Sequence, residues 1–214
     1  MRSVRCSPLV VATLALAVAA CDQLRLPDDA SGSAAGGDGL ATCTRCHGDP
    51  ANGNPAPPRS LNGAADSSHP SVGAHQAHLT AGPLRQPVAC GECHVVPSAV
   101  SSPGHLSGTV DVVFGSLASA QGVAPAWDPS TLTCATYCHG ATLPGGANTT
   151  PVWNKGPSQA VCGSCHALPP PESSGHPAVT GGVTACSACH PATVKPDGTI
   201  DVAGGKHING VLDF

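Results

Sequence analysis

The sequence is short of nearly everything that builds an ordinary hydrophobic core. Of 214 residues only five are aromatic: two Phe, two Trp and one Tyr. Leu, Ile, Val and Phe together make 39 residues, about 18% of the chain, and seven of them lie before residue 20. Gly and Pro number 48, roughly twice average usage. Such a chain buries little apolar area to set against the conformational entropy of ordering it. Chains this poor are usually disordered, but disorder normally comes with high net charge. Here charge is scarce as well, at 10% of residues with a net of −4. The nine Lys and Arg are scattered, and no aromatic platform accompanies them. Those absences argue against phosphate-backbone binding and base stacking, so no nucleic-acid partner is expected. Methionine occurs once, at position 1. What is abundant is Cys (12) and His (11), and something held by them must fill the interior.

Long hydrophobic runs are lacking too. The run from Leu9 to Ala20 is uncharged and follows Arg2 and Arg5. It is too short to span a bilayer comfortably and fits the apolar region of a signal peptide. It closes on Val18-Ala19-Ala20-Cys21, which resembles a bacterial lipoprotein box. That resemblance implies a lipidated Cys21 at the mature N-terminus, whereas ordinary signal-peptidase cleavage after Ala20 fits the same small residues. Residues 1–20 are expected to be a signal peptide that takes Cys6 with it. Residues 21–39, rich in Asp, Ser and Gly, are expected to be a flexible tether. The expected location is therefore outside the cytoplasm: the periplasmic face, the outer membrane or the cell surface, attached to membrane by an N-terminal lipid.

The remaining ten Cys fall into five pairs, each followed at once by His. Four are spaced Cys-x-x-Cys-His: Cys43/Cys46/His47, Cys90/Cys93/His94, Cys162/Cys165/His166 and Cys186/Cys189/His190. The fifth, Cys134/Cys138/His139, has one extra residue between its cysteines. Cys-x-x-Cys-His reads as a c-type haem attachment site. Two thiols add to the two vinyl groups on one porphyrin edge, and the short loop turns so that the next imidazole reaches the iron. Disulfide frameworks do not require a His after every second Cys. Structural zinc sites do not repeat a His at that position five times. A thioredoxin-like redox motif needs a βαβ unit, and none is visible.

On these motifs the sequence resembles the multihaem c-type cytochromes. It is similar in particular to the exported family of metal-reducing and related bacteria that mixes Cys-x-x-Cys-His with longer-loop pairs. The stretches NGNPAPP (52–58), GAHQAHL (73–79), PGHLSG (103–108) and YCHG (137–140) carry the same likeness, which covers roughly residues 40–214. It implies five haem c groups and electron transfer, with cytochromes or membrane oxidoreductases as partners and extracellular metal or mineral reduction as context.

Five irons need five further ligands, and the only Met lies in the expected leader, so Met ligation is excluded. Six His lie outside the motifs: His69, His75, His78, His105, His176 and His207. Bis-His, low-potential haems are therefore expected throughout. An internal duplication helps to distribute the ligands. Cys43 to Phe114 resembles Cys162 to Phe214, and His105-Leu-Ser-Gly-Thr-Val-Asp matches His207-Ile-Asn-Gly-Val-Leu-Asp. Distance to the following Cys pairs His78 with His176. His75 lies three residues from His78 on the same helical face; similar His-x-x-His pairs in small multihaem cytochromes serve two different haems, and that resemblance implies that His75 reaches the iron beside Cys134. His69, before Pro70, is expected to be a turn residue and the odd one out.

The expected fold is a multihaem cytochrome c with mostly irregular backbone, helical turns at the attachment motifs and a few short strands. A short helix is expected near 72–80 and strands near 109–114 and 208–213, while Pro clusters at 55–58 and 169–171 enforce extended, turn-like backbone. The chain divides into a dihaem unit (40–115), a monohaem linker segment (116–161) and a second dihaem unit (162–214). Trp127 and Trp153, in the linker, are expected to pack on porphyrin faces or to fill gaps in a thin core. The leading function is an electron relay without catalytic residues. Alternatives are a reductase of a small oxyanion with one open haem, and a subunit of a cytochrome filament.

Overall fold

A computed structural model describes residues 44, 46–54, 56 and 58–213. The expected signal peptide and tether, Cys21 and Cys43 lie outside the described residues. Regular structure is sparse, as the Gly and Pro content dictates. Among the described residues it amounts to one α-helix, α1 (His75–Leu79), a two-stranded sheet, and short 3-10 turns. The irregular architecture expected from the sequence is the one found.

Helix α1 has only five residues, far below the length at which an isolated helix holds together. Neighbours hold it instead. The Arg85 guanidinium folds back onto the carbonyls of Ala77 and His78 at its C-terminal end. Gln76 accepts from the Asn54 side-chain amide at 2.9 Å and donates to the Ala56 carbonyl at 3.3 Å. Turns centred on His69 lead in, with Val72 and Gly73 amides both donating to the His69 carbonyl at 2.9 Å.

Strands β1 (Ala126–Asp128) and β2 (Thr133–Ala135) pair antiparallel with Trp127 opposite Cys134. The Asp128 carboxylate closes the turn by accepting from the Ser130 amide and hydroxyl. A further extended segment lies alongside, where Thr133 bridges Val152 and the Trp153 amide donates to the Leu132 carbonyl at 2.7 Å.

Three attachment motifs carry 3-10 turns: Cys90–Glu92, Tyr137–His139 and the stretch Gly182–Ala188 that contains Cys186. In two of them the motif His amide donates to the carbonyl of the first Cys, His94 to Cys90 at 3.1 Å and His190 to Cys186 at 2.9 Å. One full turn thus closes across the motif. In the longer motif β2 delivers Cys134, and the turn begins only at Tyr137.

The strands expected near 109–114 and 208–213 do not form: neither stretch joins a ladder, and left-handed backbone at Ile208 (φ 60°) and Gly210 (φ 89°) turns the second. One carbonyl of each, that of Asp111 and that of Asp213, is committed to a histidine described below. The buried apolar side chains among the described residues are small: Ala56, Val72, Ala118 and Val123. Meanwhile Val95, Leu106, Val110 and Leu212 are each more than 70% exposed. Side chains alone do not make a core here.

Candidate haem-binding sites

The motif histidines do not stand alone. Each faces one histidine from outside the motifs, with ring centres 6.0–6.5 Å apart. The pairs are His47 with His105, His94 with His75, His139 with His78, His166 with His207, and His190 with His176. An imidazole nitrogen sits about 2 Å from a bound transition metal and about 1.2 Å from its own ring centre, so two imidazoles on opposite sides of one metal hold their centres about 6.3 Å apart. All five pairs have that spacing. Among the described residues no group of three or more His, Cys, Asp or Glu is placed to hold a metal. Two axial donors with no further protein ligand suit a metal whose equatorial donors come from a macrocycle, and do not suit tetrahedral zinc.

The tautomers agree. Eight of the ten paired imidazoles donate Nδ1–H to a backbone carbonyl. They are His75 to Val72, His78 to Ala74, His94 to Asp111, His105 to Val100, His166 to Ala167, His176 to Pro177, His190 to Asp213 and His207 to Leu84. A carbonyl only accepts, so the proton is on Nδ1 and the Nε2 lone pair faces the partner ring. Such outer partners fix the orientation of metal-bound histidines. His69 is the reverse: its Nδ1 accepts from the Ser71 amide at 3.3 Å, which puts the proton on Nε2. It faces no motif histidine.

Burial favours the same protonation states. Desolvation, with smaller help from His78 and Arg85, brings the His139 imidazole down to about 4. Desolvation also lowers His75, His78 and His207. Neutral imidazoles have a lone pair to offer. Burial pushes the Cys134 and Cys138 thiols up to about 11. Cys46, Cys90, Cys93, Cys162, Cys165, Cys186 and Cys189 are likewise unpaired thiols.

Matching geometry recurs in the two stretches that resemble each other in sequence. His47 and His105 cross at 88°, His166 and His207 at 74°. His94 and His75 lie at 23°, His190 and His176 at 20°. Asp111, six residues after His105, gives its carbonyl to His94 at 3.3 Å; Asp213, six after His207, gives its carbonyl to His190 at 3.1 Å. These are the stretches expected as strands, and the imidazoles take the carbonyls a ladder would use.

The distribution of His75 and His78 differs from the expectation. His78, not His75, faces His139, and His75 faces His94, which makes His75 the counterpart of His176. Counting residues back from the Cys misleads because the loop after α1 is longer in the first stretch. Its extra residues turn back on the helix, where Arg85 binds the carbonyls of Ala77 and His78 and the Val88 amide donates to His78 at 2.8 Å.

The third and fourth motifs are in backbone contact. Gly140 has φ 77°, and a Cβ there would overlap the Cys165 carbonyl, so only glycine permits this approach. The Ala147 and Asn148 amides donate to the carbonyls of Gly163 and Ser164, both at 2.9 Å. The first motif borders a cavity of about 500 Å³ lined by Cys46, His47, Pro58, Arg59 and Leu61.

Residues 133–166 match the family described as the Geobacter CxxxxCH...CXXCH motif. The matched stretch is about a sixth of the chain and holds Cys134, Cys138 and His139 followed by Cys162, Cys165 and His166. This chain has three residues between Cys134 and Cys138, where the family pattern has four. The match supports haem c binding and a place among multihaem c-type cytochromes, a class that transfers electrons. No curated protein and no solved structure matches the chain.

Proposed function

We propose that the protein is a pentahaem electron carrier in which every iron is held between a motif histidine and one of His75, His78, His105, His176 and His207. The observation that carries this reading is the set of five imidazole pairs at metal-bridging distance. The ten attachment thiols are Cys43, Cys46, Cys90, Cys93, Cys134, Cys138, Cys162, Cys165, Cys186 and Cys189. Haem supplies reversible one-electron chemistry at its iron. The chain's own part is to fix eight of the ten imidazoles, at least one in every pair, by Nδ1 bonds to backbone carbonyls, so that little moves when charge changes. Two histidines per iron leave no position for substrate, which favours a relay over a reductase. With no Met ligand to raise them, the potentials are low.

Signal-peptide export and a lipid on Cys21 would hold the carrier at the periplasmic face or outer membrane, exchanging electrons with cytochromes or membrane oxidoreductases. Among the described residues no helix is long and apolar enough to cross a membrane. An intact mass reads the lipid on Cys21 directly.

Electron paramagnetic resonance of the oxidised protein tests the ligation. Each imidazole raises the iron orbital that overlaps its π system. Parallel rings raise one orbital and give a rhombic low-spin signal; perpendicular rings raise two nearly equally and give a strongly anisotropic one. The ring angles of 23° and 20° against 88°, 84° and 74° predict two rhombic and three strongly anisotropic haems. High-spin iron in the intact protein would overturn the bis-His assignment and restore the reductase reading.

A further inference from the structure

Trp153 stands out among side chains that carry no ligand atom. Its indole lies 4.8 Å from the His75 ring, edge to face, and 5.6 Å from the His78 ring, inclined by 27°. It touches both histidines of α1, which face different motif histidines, His94 and His139. Its own position is fixed at both ends. The backbone is tied to the strand that delivers Cys134, through the Trp153 amide to Leu132 and the bridge between Val152 and Thr133. The indole N–H donates to the Pro70 carbonyl at 2.8 Å, and the adjacent Asn154 side-chain amide donates to the Ser68 carbonyl at 2.7 Å. The turn leading into α1 is built around it. Gly73 sits at φ 44°, and a Cβ there would overlap the indole ring.

We propose that Trp153 is a positioning residue that sets the ring orientations of His75 and His78 together and so couples the haem sites at Cys90/Cys93 and Cys134/Cys138. This rests on the ligand assignment above. A five-residue helix is too weak to hold two imidazoles in fixed planes by itself. A rigid bicyclic ring with one hydrogen bond and two aromatic contacts does so at little entropic cost. Because the clamp is anchored to the strand bearing Cys134, displacement at one of these sites is felt at the other.

Two variants of the haem-loaded protein test it by paramagnetic resonance and redox titration. Trp153→Phe keeps a ring between the histidines but loses the bond to Pro70. It is expected to retain five haems and to shift two signals, one rhombic (His94/His75) and one strongly anisotropic (His139/His78), together with the potentials of those two haems. Trp153→Ala is expected to enlarge the same two shifts and leave the other three signals unchanged. If Trp153→Ala yields no loaded protein, Trp153→Phe decides alone. Unchanged signals and potentials in the loaded variants, or shifts spread over all five haems, would overturn the clamp. A wild-type protein lacking low-spin haem would instead overturn the ligand assignment on which it rests.

Discussion

Expressed where haem cannot be attached and kept reduced, the chain from residue 40 onward is expected to show no cooperative thermal transition. The buried apolar side chains among the described residues are two alanines and two valines. A fully buried valine contributes about 1.5–3 kcal/mol, which one or two ordered residues consume in backbone entropy. No disulfide joins the described cysteines to restrict the unfolded chain, and the α-helix is a single short turn held by other loops. The structure described above therefore depends on what the Cys–His motifs bind. Circular dichroism and calorimetry of haem-free and haem-loaded chains make the comparison: a flat trace for the first and a sharp, high transition for the second. A sharp transition in the haem-free chain would mean that the fold stands without cofactor.

Removal of a non-motif ligand has an equally large, spectroscopic effect. His78→Ala takes away the partner of His139 and is expected to convert one haem in five to high spin, at the expense of a strongly anisotropic signal. His75→Ala removes the partner of His94 and costs a rhombic signal instead. The double variant converts two haems in five. His69→Ala changes nothing, because the His69 Nδ1 already accepts from Ser71 and its ring faces no motif histidine. High-spin iron from His69→Ala, or the same signal lost from both single variants, would refute the assignment. The two single variants also separate the pairing drawn here from the reverse pairing that residue counting favours.

The chemistry of these sites was legible in the sequence because covalent attachment demands fixed local spacing. Cys, Cys and His within five or six residues announce themselves without any knowledge of the fold. The relation of His105 to His207 was legible for a similar reason, since each begins a short stretch ending in an Asp six residues later. What the sequence hides depends on loops. His75 and His78 are three residues apart, and which faces His94 is decided by how the loop through Arg85 folds back on α1. The stretches before Phe114 and Phe214 look like strands, yet the carbonyls of Asp111 and Asp213 serve histidines. Trp153 is conspicuous in the sequence for its rarity, but its contact with two imidazoles depends on Gly73 and on a strand 20 residues earlier, beyond any local pattern.

The poverty of side-chain core and the wealth of paired Cys and His are two sides of one claim: covalently bound haem is the interior of this protein. Intact mass of the purified, denatured protein measures it most directly, because covalent haem survives denaturation. The predicted result is a polypeptide carrying five haem increments, the Cys134/Cys138 site included. Four increments would exclude that longer-loop site, and an unmodified polypeptide mass would contradict the account as a whole.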